Sequence, residues 1–263
     1  MKIKVGVVQA LFEACKIREN LEKADECIRT LGNLGCNFVV LPELFNTGYS
    51  WNPDIFEAIR VAQEETNAML SALAKEYNCV IIAGVGRKVS DRYYNSAGVF
   101  PPNEDPLFYD KTHLFRREKE LFTPGKELKV FTWQNLKFGC IICYETGFPE
   151  IARTLANRDA SIIFALFAFS KKRRHIYEVM TRSRALENGT FLVASAQVGK
   201  GFFEFNGYSR IVHPSGRILK DAGEAEGIIW CEIETDEVEK YRHQEIEDSH
   251  AYFSNFRKEL YEL

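Results

Sequence analysis

The feature that most limits what this chain can become is an alternation of short, continuously apolar runs with longer helix-periodic segments, sustained over most of its length. Residues 3–9 (IKVGVVQ) are an apolar run of strand length, and residues 18–34 place apolar side chains at helical spacing. A second run, FVVL at 38–41, precedes another helical segment at 55–77, where Ile55, Ile59, Ala62, Met69 and Leu73 repeat on one face. Residues 80–85 supply a third run, ended by glycines at 84 and 86. Runs apolar at both parities suit strands buried on both faces, so three βα units are expected here.

The middle of the chain breaks that rhythm. Residues 93–100 and 107–109 flank PPNEDP, whose three prolines cannot donate to a ladder, and the pair reads as a β-hairpin. Alternation then resumes with a strand at 136–142, a helix at 149–157, a strand at 161–165, a helix at 172–187 and a strand at 191–196. Closing strands are expected at 208–213, 217–220 and 227–233, with a short helix at 234–241. No internal repeat, low-complexity stretch or Gly/Ser-rich linker divides this span, so residues 1–241 read as one α/β domain. Residues 242–263 are charged but carry Tyr252, Phe253, Phe256, Leu260 and Tyr261, too many aromatics for a solvated tail. They read as a C-terminal extension packing at a subunit interface. Hairpins between βα units fit either two packed sheets with helices outside or one doubly wound sheet.

Composition narrows the function. A chain of 263 residues with 46% hydrophobic content can bury a large core, and a net charge of -3 spread along the sequence offers no field to gather nucleic acid or an anionic membrane. The start, MKIKVGVVQA, lacks the apolar core of a signal peptide, and no stretch approaches the roughly 18 apolar residues of a membrane span. A cytoplasmic protein is expected. Seven irregularly spaced cysteines fit reduced thiols better than a disulfide framework.

Three ionisable residues share one local setting. Glu43 follows FVVLP, Lys111 follows LFYD and Cys143 follows FGCII, each just past an apolar strand, where α/β sites assemble. A strand-end cysteine turning into a helix meets unpaired amides that favour a thiolate and can hold an oxyanion. A free thiol is mostly protonated at pH 7 and needs a base, which Glu43 can be; a fixed ammonium and an N–H can then stabilise the anion formed by attack on a carbonyl or nitrile. Lys111 and the Tyr144 amide suit that role. Each residue also has a plainer reading, as a helix cap, a surface lysine or a packed thiol.

The segments LPELFNTGY (41–49), YDKTHLFRREKELFTPG (109–125) and CYETGFPEIARTLA (143–156), in that order, resemble the nitrilase superfamily of carbon–nitrogen hydrolases. The likeness extends to RALENGTFLVASAQVG (184–199), GYSRIVHPSGRIL (207–219) and GIIWCEIE (227–234). It implies a four-layer α-β-β-α sandwich that commonly pairs into homodimers, and a Glu-Lys-Cys triad without metal or organic cofactor. By motif the triad is Glu43 as general base and acid, Lys111 as oxyanion stabiliser and Cys143 as nucleophile, with a thioester intermediate. A second glutamate on the lysine loop maps to Glu118, with Glu120 as its neighbour in competition. The substrate implied is a small aliphatic amide, releasing ammonia; an N-carbamoyl compound or a nitrile would use the same triad, and an inactive scaffold would show an altered one. Tyr49, Phe167 and Ala168 are candidates for the substrate-binding wall.

Other signals point elsewhere. Cys140 and Cys143 are three apart, so on a strand they face opposite sides; Cys140 should only pack, and alkylation should fall first on Cys143. The five histidines show no metal spacing, and His113 reads as a loop-holding residue. KKRR at 171–174 reads as the start of a solvated helix face, although its place after a strand leaves an acid-bearing substrate open.

Overall fold

The computed structural model describes residues 1–261, so Glu262 and Leu263 of the expected C-terminal extension lie outside the described residues. The first half builds β1 (Lys2–Gln9), α1 (Ile17–Asn33), β2 (Phe38–Leu41), α2 (Ile55–Tyr77), β3 (Val80–Val89), β4 (Arg92–Phe100), β5 (Leu107–Asp110) and the single turn α3 (Glu118–Leu121). The second builds β6 (Val130–Trp133), β7 (Leu136–Ile142), α4 (Pro149–Asn157), β8 (Ile162–Phe167), α5 (Arg174–Leu186) and β9 (Phe191–Ala196). There follow β10 (Val198–Lys200), β11 (Glu204–Asn206), β12 (Arg210–Val212), β13 (Ile218–Asp221), β14 (Gly227–Glu234) and α6 (Glu237–His243). Among the described residues no helix is long and apolar enough to cross a membrane.

Two six-stranded sheets face each other, in the orders β14-β1-β2-β3-β4-β5 and β13-β12-β9-β8-β7-β6. In each the central strands are parallel and the flanking strands antiparallel. The period of two decides which residues go where. Val5, Val7, Phe38, Val40, Val80 and Ile82 enter the core between the sheets, while Val8, Val39, Leu41, Ile81 and Ala83 pack outward against α1 and α2. Helices α4 and α5 cover the second sheet through Ile151, Leu155, Tyr177 and Ala185. The layers are therefore α-β-β-α, in one domain. Phe38 seals the two sheets, with its ring centroid 5.4 Å from that of Phe138 and 5.3 Å from that of Phe164.

Several elements differ from expectation. Strand β3 does not stop at its glycines but runs to Val89 as the partner of β4. Gly84 is needed inside the strand because a Cβ there would lie 2.4 Å from Glu43 Cα. The last helix begins at Glu237 rather than 234. In the C-terminal segment, as expected for a packed extension rather than a solvated tail, Phe253 stacks on the guanidinium groups of Arg242 and Arg153, and Phe256 on that of Arg153. Tyr252 and Leu260 stay exposed.

Candidate active site

The parallel strands of both sheets end on the same side of the sandwich, and the candidate residues follow those ends. Glu43 stands two residues after β2, Lys111 immediately after β5 and Cys143 immediately after β7. Close backbone approach makes the first two turns possible. Besides Gly84 against Glu43, Gly125 donates its N–H to the Lys111 carbonyl at 2.9 Å and has no room for a Cβ, which would meet Asp110 O at 2.0 Å. Three non-glycine residues at these turns hold left-handed backbone, namely Leu44 (φ 52°), Arg116 (φ 47°) and Cys143 (φ 50°). Such geometry persists where the surroundings over-determine it.

Side chains converge accordingly. Lys111 is fully buried and its Nζ donates to Glu43 Oε1 at 2.7 Å and reaches Glu118 Oε2 at 2.9 Å. Asn95 Nδ2, from β4, donates to the same Glu43 Oε1 at 2.8 Å, and the Ala168 amide donates to Oε2 at 2.8 Å. Gln197 Nε2 holds the Glu43 carbonyl at 2.8 Å. Glu118 accepts in addition from the Tyr49 hydroxyl at 2.7 Å and the Phe115 amide at 2.9 Å, and Trp51 Nε1 donates to that tyrosine at 3.0 Å. Glu120 is exposed and pairs with Arg117, so the buried partner of the lysine is Glu118.

Electrostatics follow from burial. Desolvation opposes charge on Lys111, but Glu118 and Glu43 overcome it and raise the ammonium pKa above its ordinary value. Desolvation raises Glu118 from the ordinary carboxylate range, against the pull of Lys111. The Cys143 thiol is pushed well up, first by burial and then by Glu43 and Glu118, while Lys111 and the Ala168 amide act in the opposite sense. The strand-end amides expected to favour a thiolate are thus outweighed. Burial therefore favours the neutral thiol at Cys143.

Cys143 lines a cavity of about 150 Å³ whose wall is mostly apolar and includes the aromatic rings of Tyr49, Phe115, Tyr144, Phe169 and Phe203 together with Ala168. Of the expected wall residues Tyr49 and Ala168 are in place. Phe167 is not: as the last residue of β8 it is fully buried in the core against Tyr177, and the two residues beyond the strand, Ala168 and Phe169, line the cavity instead. Cys140 is likewise in the core between the sheets. His113 holds its loop, with its amide 3.3 Å from Glu145 and its ring stacked on Phe148.

Arg173 was hidden in the KKRR run. Lys171 pairs with Glu204 and Glu224, and Arg174 with Glu224 and Glu178, on the outer surface. Arg173 instead lines the cavity, its guanidinium 4.7 Å from the Phe115 ring and 5.4 Å from the Phe169 ring, with no carboxylate partner among the described residues. Its spacing of three and seven from the cavity residues Ile176 and Met180 is the helical signal that would have found it.

A family model described as carbon-nitrogen hydrolase matches residues 4–243 of the chain. The chain is 34% identical over 270 residues to a nitrilase of Pyrococcus abyssi, spanning 98% of this chain and 99% of that protein. It is 30% identical over 276 residues to an omega-amidase of Bos taurus, spanning 99% and 97%. Its fold superimposes with a TM-score of 0.86 on an amidase of the nitrilase superfamily from Nesterenkonia, at 21% identity over 98% of this chain and 95% of that one.

Proposed function

Since the chain belongs to the carbon–nitrogen hydrolase family, within the nitrilase superfamily, we propose that it hydrolyses a small amide to ammonia and a carboxylic acid through a thioester on Cys143. The observation that carries this reading is a buried ammonium held between two carboxylates beside a protonated thiol in an apolar cavity. Glu43 Oε1 already accepts from Lys111 and Asn95, so the thiol proton goes to Oε2, which holds only the Ala168 amide. Sulfur then adds to the amide carbon.

The new oxyanion needs donors. Lys111 spends two N–H bonds on Glu43 and Glu118, leaving the third, and the Tyr144 amide lies in the first turn after the strand, where helical amides have no intrahelical partner. Protonated Glu43 gives its proton to the departing nitrogen, which leaves as ammonia. It next takes a proton from a water that attacks the thioester, releasing the acid and restoring the thiol.

The cavity holds roughly six non-hydrogen atoms, by comparison with an apolar cavity of this volume that takes benzene. The amide of a four-carbon acid fills it, and the two further oxygens of an ω-carboxylate would sit at the wall beside Arg173, which supports a carboxylate at the end away from the reacting carbon. The likeness to the omega-amidase of Bos taurus supports the same class. Ammonia release from ω-amides of short dicarboxylic acids, neutral amides, N-carbamoyl compounds and nitriles tests it, with acid-quenched mass spectrometry of the Cys143 peptide. The ω-amides should lead and leave an acyl adduct on Cys143. Turnover of nitriles alone, or full turnover by Cys143→Ala, would refute it.

A further inference from the structure

Glu145 is a buried carboxylate beside the site that no step above uses. Its side chain is fully buried, and no ion pair among the described residues includes it. Two sets of neutral donors hold it instead. Oε1 accepts from the Tyr109 hydroxyl, the Thr112 amide and the Thr112 hydroxyl, each at 2.6 Å, and from the His113 amide at 3.3 Å. Oε2 accepts from the Ile142 amide at 2.8 Å. The first set flanks Lys111 in sequence; the second immediately precedes Cys143. The Thr112 hydroxyl has one proton, so with that proton on Glu145 its oxygen accepts from His113 Nδ1 at 2.8 Å, which fixes the ring tautomer.

We infer that Glu145 is a positioning residue for the reaction: it clips the lysine loop to the nucleophile turn and so sets Lys111 Nζ against Cys143 Sγ. The clip closes over Cys143 itself, whose left-handed φ of 50° is a conformation that costs a residue with a side chain free energy. Bonding the Ile142 amide to a side chain three residues on restrains that turn from both sides. A carboxylate is required because every partner is a donor. In Glu145→Gln the new NH₂ would face one of the two donor sets, leaving a donor against a donor.

This inference rests on Lys111 and Cys143 being the reacting pair, so its test reads thiol chemistry as well as turnover. In Glu145→Gln kcat should fall on the order of 10²-fold with KM within about threefold, as a misplacement near 1 Å would produce. Alkylation of Cys143 by 2-chloroacetamide, followed by peptide mass, should slow, and its pH profile should move upward because Lys111 no longer favours the thiolate. A purely structural role gives a lower melting temperature, wild-type kcat per titrated site and an unmoved profile; that result overturns the inference. If Glu145→Gln does not fold, Tyr109→Phe removes one donor and keeps the carboxylate. A kcat loss of about threefold to tenfold, with the same direction of profile shift, is expected there. Unchanged kcat and profile would overturn the inference equally. Full turnover by Cys143→Ala would instead remove the assignment of the nucleophile, a different outcome from either.

Discussion

The two sheets contribute unlike things to the site. The sheet built on β1 to β5 supplies charge: Glu43 after β2, Lys111 after β5 and the Asn95 amide from β4. The sheet built on β6 to β9 supplies the thiol after β7 and the Ala168 amide after β8. The charged half is held by ion pairs, Cys143 sits on strained backbone, and Glu145 ties the two halves by accepting from Tyr109 and Thr112 on one side and from the Ile142 amide on the other. Neither half would react alone. Pressing the sheets together excludes water from the ions, which strengthens them, and at the same time keeps the thiol neutral until substrate arrives.

Removing the cation at the centre of the charged half should have the largest effect. On the proposed mechanism Lys111→Met deletes an oxyanion donor, a loss on the order of 10²- to 10³-fold in kcat. It also leaves Glu43 and Glu118 buried without their cation, a destabilisation of roughly 3–5 kcal/mol. The pH dependence then has a definite sign. Burial already raises Glu118, and without Lys111 nothing cationic opposes that rise. A carboxyl whose folded pKa lies above its unfolded value contributes stability that is full below the unfolded pKa and lost as pH climbs through the folded one. Melting temperature in Lys111→Met should therefore fall as pH rises from about 5 to 8, more steeply than in the parent. A flat difference between the two proteins would mean that the carboxylates are not left bare.

The intermediate effect concerns the substrate end. A charge-assisted hydrogen bond is worth about 1.5–3 kcal/mol, so Arg173→Ala should lower kcat/KM for a carboxylate-bearing amide roughly 10- to 100-fold. Neutral amides of the same length should be hydrolysed within about twofold of the parent rate, since they present nothing for the guanidinium to pair with. Equal losses on both substrates would show that Arg173 shapes the cavity through its stacking on Phe115 and Phe169 rather than by reading charge.

Much of this arrangement is legible in the sequence. Strand ends at Leu41 and Ile142 announce themselves because strands buried on both faces are continuous apolar runs, whereas β5, an antiparallel edge strand with Leu107 exposed, shows itself through the proline-marked hairpin before it. Other elements were too short for periodicity to act on: β10 and β11 have 3 residues each and α3 has 4. Strand β6 was readable in principle, since Phe131 and Trp133 alternate with exposed Thr132. Asn95 and Glu145 could not be placed, because their partners lie 52 and 36 residues away in Glu43 and Tyr109 and are set by strand pairing. Glu145 did leave one local trace, a glutamate three residues after the residue whose amide it caps. Phe167 and Ala168 show the limit of locating a wall by segment: adjacent residues, one in the core and one in the cavity.

The smallest expected effect separates Cys140, inside β7, from Cys143, just past its end. Cys140 and Cys143 are both buried and both have thiols raised by burial, yet only Cys143 borders the cavity and the charged cluster. Cys140→Ala should cost about 1 kcal/mol of stability, as a small core truncation does, and leave kcat within about twofold. Alkylation sharpens the point, because Cys15 is exposed and competes for any small reagent. A neutral haloacetamide resembles a substrate, so its reaction at Cys143 should saturate with concentration and be blocked by a competing amide, whereas reaction at Cys15 should stay first order in reagent. Anionic iodoacetate, without an amide to present, should favour Cys15. If Cys140 were labelled in the native protein at a rate comparable to Cys143, the strand would have to open to the cavity on both faces, and the division of labour between a reactive end and a packed interior would fail.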